Sequence, residues 1–127
     1  MSPRESPAAS AQRFLAIYAH DARQNGARLW TYTDVVTALG WPPARARNMM
    51  PLLNAIRDLC QAKAVPDLRT VIVAAGTDLP SRKSFHLPYG TWADTTLDRA
   101  GVRAEQARVL AVDWQQVDAR RDCRQMP

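Results

Sequence analysis

The side chains able to do covalent or metal chemistry are few and scattered. Cys60 and Cys123 lie far apart, one inside a helical pattern and the other in a polar tail, and His20 and His86 are isolated. A zinc site needs Cys and His at short, regular spacing, and the sequence offers none. Asp94, Asp98, Asp113 and Asp118 are spread over the last third of the chain, where helix caps and solvated faces account for them without acid–base chemistry. Five Gly in 127 residues leave no loop to cradle a phosphate. The expectation is a non-enzyme with no cofactor and no metal. Cys60, on the apolar side of its helix, reads as a buried structural thiol.

Recognition chemistry is better represented. The stretch LWTYTDVVTALGWPPARARNMMPLL, residues 29–53, reads as an extended lead-in, a short helix, a Gly turn and a second helix over 43–50. That second helix carries Arg45, Arg47 and Asn48. Arg pairs bidentately with guanine and Asn with adenine, and both also serve phosphates. Thr31, Tyr32 and Thr33 precede it with hydroxyls and backbone N–H groups suited to phosphate. Ser81, Arg82 and Lys83 fall in a polar turn, where a backbone clamp is expected. The net charge of +5 and a pI near 9.9 favour a polyanionic partner, because each neutralised phosphate releases counterions.

These residues need a scaffold, and the pattern supplies one. Residues 1–9, rich in Pro and Ser, read as a disordered lead. From Ser10, as N-cap, an apolar stripe of Phe14, Leu15, Ile17 and Tyr18 predicts a helix to about residue 24, stopped by Asn25-Gly26. ARLWTYT is extended, and Thr33 caps a helix ending at Gly40. Pro51 ends or kinks the next helix near Met50, and Leu52, Leu53, Ile56, Leu59 and Cys60 then stripe a helix over 51–62. LRTVIVAAG reads as a buried strand, with a second near 84–87. TWADTTLDRAG is a short helix or ordered loop stopping at Gly101. Ala107, Leu110, Trp114 and Val117 predict a C-terminal helix, with a strand at RVLAV as the alternative, and residues 120–127 fray. Trp30, Trp41, Trp92 and Trp114 read chiefly as core staples.

The expected fold is therefore a single α+β, mostly helical domain over 10–119. It is winged helix-turn-helix-like, with a small two- or three-stranded sheet. The longest apolar run, VIVAA, is far short of the ~20 residues needed to span a bilayer. The N-terminus has no secretory h-region, so a cytoplasmic location without membrane contact is expected.

The stretch TYTDVVTALGWPPARARNMMPLL resembles the DNA-binding element of alkylguanine-DNA alkyltransferases and their alkyltransferase-like relatives. In that family a Thr-Tyr-Gly lead precedes a helix, a Gly and an Ala-Arg recognition helix. The resemblance implies that Tyr32 would help rotate a nucleotide and that Arg45 or Arg47 would fill the space it leaves. Thr33 replaces the usual Gly, and VPDLRTVIV stands in place of the Pro-Cys-His-Arg motif. The nucleophilic thiolate of that chemistry is therefore missing. Residues 29–117 also resemble a group of small bacterial winged-helix proteins of uncertain role, through Tyr32, ALG, LLNAIRDLC, VPDLRTVIV, GTDLP and Trp114. That resemblance implies a fold and no reaction.

Together these readings lead to non-catalytic DNA binding, with a homodimer expected if binding is sequence-specific. The alternative is a protein-interaction module, an inhibitor, adaptor or defence component, that turns the same basic face to an acidic protein partner.

Overall fold

The computed structural model describes residues 5–76, 78–80 and 99–119. They are mostly helical and include a two-stranded parallel sheet, an α+β composition. Among the described residues no helix is long and apolar enough to cross a membrane.

The first helix, α1 (Pro7–Asn25), starts three residues earlier than the stripe alone predicts. Ser6, not Ser10, is the N-cap: its hydroxyl accepts the Ala9 N–H at 3.1 Å, and Pro7 occupies the first turn, where its missing N–H costs nothing. Ser10 is buried inside the helix and donates to Glu5 Oε1 at 2.9 Å. The expected lead over 1–9 is thus helical from Pro7. Gly26, at φ 83°, closes the other end.

Strand β1 (Trp30–Thr31) runs into α2 (Tyr32–Ala38). Thr31, rather than Thr33, caps α2 in a reciprocal box: its hydroxyl accepts the Asp34 N–H at 3.0 Å, and its own N–H donates to Asp34 Oδ2 at 2.9 Å. A five-residue 3-10 turn, Pro43–Arg47, leads to α3 (Met50–Lys63). A second 3-10 turn, Leu68–Val71, precedes β2 (Ile72–Val73), which pairs in parallel with β1, Trp30 opposite Ile72 and Thr31 opposite Val73.

The long strand expected over LRTVIVAAG is therefore corrected to a turn and two paired residues. The cause is Asp67. Its carboxylate accepts the Arg69 N–H at 3.0 Å and its carbonyl accepts the Thr70 hydroxyl at 2.8 Å, so Leu68–Val71 coils. The segment is buried as expected. The second strand expected near 84–87 lies outside the described residues.

Helix α4 (Arg99–Ala111) passes through Gly101 without stopping and includes RVLA as helix, not strand. Its buried side is Val102, Glu105, Gln106 and Val109, whereas Ala107 and Leu110 of the predicted inner stripe face solvent. After a break at Val112 and Asp113 comes α5 (Trp114–Ala119). Helix α1 packs against both α3 and α5, and α4 packs on the Leu68–Val71 turn.

The core joins Phe14, Leu15 and Tyr18 of α1 to Trp30, Val35, Val36, Leu53, Ile56, Ile72 and Trp114. Its aromatic seam has edge-to-face geometry: Phe14 and Trp30 centroids are 5.4 Å apart at 88°, Tyr18 and Trp114 5.6 Å apart at 87°. Trp30 and Trp114 are the core staples expected of them.

Candidate nucleic-acid interface

The corner between α2 and α3 is built by its ends. Leu39 is the C-cap of α2, and Gly40 follows at φ 76°, a left-handed conformation that suits Gly. The Gly40 N–H donates to Thr37 O at 3.0 Å and the Trp41 N–H to Val36 O at 2.8 Å. This double closure is a Schellman end, and it brings Trp41 back against the core. Pro42 and Pro43 then restrict the backbone, and the Arg45 N–H donates to Pro42 O at 2.9 Å to open the 3-10 turn.

The recognition helix expected over 43–50 is corrected here. The turn stops at Arg47, because Asn48 leaves helical conformation (φ −131°, ψ 63°), and Pro51 lies in the first turn of α3 instead of ending the preceding helix. Pro51 has no N–H to carry a helical ladder across the junction, but in a first turn that donor is not needed. The two predicted helices become a short turn and one 14-residue helix.

Arg45 and Asn48 are both exposed at this corner, and Arg47 closes the turn. The Arg45 guanidinium carbon lies 4.1 Å from the Trp41 ring centroid, a cation–π contact. Tyr32 is half-buried against the core at the start of α2. Thr31 sits beside it with its backbone N–H committed to Asp34, so that donor is not offered to phosphate. Asp34 also puts a carboxylate at the positive end of α2, where an anion would otherwise bind. Ser81, Arg82 and Lys83 lie outside the described residues, as do His86, Trp92, Asp94, Asp98 and Cys123.

Several surface arginines away from this corner are ion-paired. Arg13 pairs with Glu5, Arg28 with Asp21, Arg57 with Asp58 and Arg103 with Asp78. Such exposed pairs add little stability, but they cancel local charge. Among the described residues no carboxylate pairs with Arg45, and residues 35–57 contain neither Asp nor Glu. The paired residue that sequence reasoning missed is Trp41, read as a core staple. The spacing W-P-P-x-R, Trp and Arg four apart across a Pro-Pro, is the signal that could have found it.

A second polar cluster is buried. Arg69 meets both Asp67 oxygens, with Nε at 2.9 and 3.0 Å and Nη2 at 2.5 Å, and both residues are about 1 % exposed. Glu105 Oε2 accepts the Asp67 N–H at 2.9 Å, and Arg108 donates to Glu105 Oε1 at 2.5 Å. Gln106 Nε2 donates to Thr70 O and Asp78 O, each at 2.8 Å. These bonds tie α4 to the Leu68–Val71 turn. The VPDLRTVIV segment thus contributes a structural joint through Asp67, Arg69 and Thr70.

Cys60 is buried and free, as expected, and burial pushes its thiol up to about 12. Thiolate is the reactive form, so the folded protein should resist alkylation at Cys60 at pH 8, while urea-unfolded chain labels readily. Peptide mass spectrometry after iodoacetamide treatment checks this, and rapid native labelling would contradict the burial. The same shift has a signed effect on stability. The unfolded thiol ionises near its ordinary value of about 9, so stability due to the neutral buried thiol is complete below that pH and drains away towards about 12.

Two grooves flank the α4–α5 break, of about 460 and 530 Å³. Their titratable lining residues are Arg23 and Asp113, and neither groove includes Arg45. Among the described residues no group of His, Cys, Asp and Glu is placed to hold a metal ion. Comparison of the chain with known protein families, curated proteins and solved structures returns no match.

Proposed function

We propose that this is a non-catalytic, cytoplasmic DNA-binding protein whose contact surface is the α2–α3 corner, with Arg45 and Arg47 at its centre and Asn48 at its edge. The observation that carries the reading is an exposed Arg45 without a carboxylate partner among the described residues, in a stretch of chain free of acidic residues. Winged helix-turn-helix kinship belongs to this proposal: α2, the Gly40 turn and α3 keep the order of that motif, with the 3-10 turn inserted before the second helix. Ser81, Arg82 and Lys83 would add the wing contact.

Fluorescence anisotropy with random-sequence duplex DNA at several salt concentrations tests the proposal. Binding of roughly 1–100 µM near physiological salt is expected, weakening steeply as salt rises. An Arg45→Ala/Arg47→Ala variant should bind more weakly and flatten the log–log salt slope by about 2, one phosphate contact per side chain. No binding at low salt would sink the reading.

A further inference from the structure

Trp41 is fixed before Arg45 reaches it. The Schellman end of α2 locks its backbone through the 2.8 Å bond to Val36 O, the core holds one side of its indole, and Pro42 and Pro43 restrict the chain beyond. Arg45, four residues on, is exposed yet has its guanidinium 4.1 Å from the indole centroid. A long Arg at an open surface ordinarily samples many rotamers and loses them on binding. Here the stack has already narrowed that choice, while the in-plane N–H donors stay available for two oxygens of one phosphate.

The 3-10 turn points the same way. Five residues at ~2 Å rise make an element of about 10 Å, too short to lay several side chains along a groove, and Asn48 leaves it in a non-helical conformation. One anchored guanidinium suits a backbone contact better than a base-reading row.

We propose that Trp41 is a positioning residue that holds the Arg45 guanidinium ready for phosphate, so that the corner grips the sugar–phosphate backbone with a pre-set planar fork. This rests on the DNA-binding reading above. Because the fork rather than bare charge does the gripping, Arg45→Lys loses binding although the net charge is unchanged.

The test is a set of anisotropy titrations on one random-sequence duplex with the full chain, using wild type, Trp41→Phe, Trp41→Leu, Arg45→Lys, Arg45→Ala and Trp41→Leu/Arg45→Ala, each checked by thermal melting. Trp41→Phe retains an aromatic face and should bind within about twofold of wild type. Trp41→Leu keeps apolar bulk but no π face and should weaken binding about two- to fivefold, the worth of an exposed cation–π contact. In the Arg45→Ala background the same Leu substitution should have no further effect. An equal loss in both backgrounds assigns Trp41 a merely structural role and overturns the inference. Should Trp41→Leu not fold, the exposed Arg45→Lys decides: binding equal to wild type overturns the inference while leaving DNA binding standing. Absence of wild-type binding at low salt removes the DNA-binding reading and this inference with it.

Discussion

Asp67→Ala should destabilise the protein by about 3–5 kcal/mol, the usual consequence of removing one partner from a buried ion pair. Asp67 and Arg69 are each about 1 % exposed, and the carboxylate faces Nε and Nη2 of the guanidinium together. Taking the carboxylate away leaves a cation in a place water does not reach. It also removes the acceptor that coils Leu68–Val71, and that turn sets the approach of β2 to β1. The wider cluster is charge-balanced, with Asp67 and Glu105 against Arg69 and Arg108, so one deletion unbalances all of it. Urea unfolding followed by circular dichroism measures the loss. A double variant, Asp67→Ala/Arg69→Met, should recover much of it, because an apolar side chain carries no buried charge that needs the lost carboxylate. A single Asp67→Ala costing under about 1 kcal/mol would show that water or a rearranged neighbour satisfies Arg69, contrary to the burial seen. High salt should change the cost little, since a buried pair is poorly screened.

The same cluster explains where sequence reasoning went astray in the second half of the chain. An apolar stripe identifies a helix only if the inward positions are apolar, and the inward face of α4 carries Glu105 and Gln106 between Val102 and Val109. Of the stripe that can be read, Ala107, Leu110, Trp114 and Val117, the last two are buried as expected, but Ala107 and Leu110 lie on the solvent side of α4, with Leu110 37 % exposed. Likewise, Val71, Ile72 and Val73 are as β-branched as a strand requires, but Asp67 coils Leu68–Val71 and leaves only Ile72 and Val73 paired. The first half was more legible. Phe14, Leu15 and Tyr18, and then Leu52, Leu53, Ile56 and Cys60, mark the buried faces of α1 and α3 correctly because those helices bury only apolar or small groups on that side. At the corner the residue types were readable and the conformation was not. Pro51 can stop one helix or start the next, and only Asn48 leaving the helical region decides between them. The Trp41–Arg45 contact depends on that outcome, so it could not be inferred from a helix over 43–50.

Trp114→Ala should cost about 3–5 kcal/mol as well, by a different route. Trp114 is 1 % exposed and stands edge-on to Tyr18, and its Nε1–H donates to Val109 O at 2.8 Å. It thereby joins three elements: α5, on which it sits, α1 through Tyr18 and the end of α4 through Val109. The six-residue α5 is too short to persist on its own, so its order derives from this packing. Hydrogen exchange should therefore show protection lost across α5 and the last turn of α4, while α3 keeps most of its own. A uniform loss across all helices would instead mean that α5 and the core unfold as one unit. Trp114→Phe separates the contributions, since it retains ring against Tyr18 but leaves Val109 O without its indole donor, and about half the cost is expected. None of these contacts reaches the α2–α3 corner. At a temperature well below the melting point of Trp114→Ala, its affinity for duplex DNA should match wild type within about twofold. A large drop there would mean that the corner depends on α5, and that Arg45 owes its placement to more than the end of α2 and the Trp41 ring.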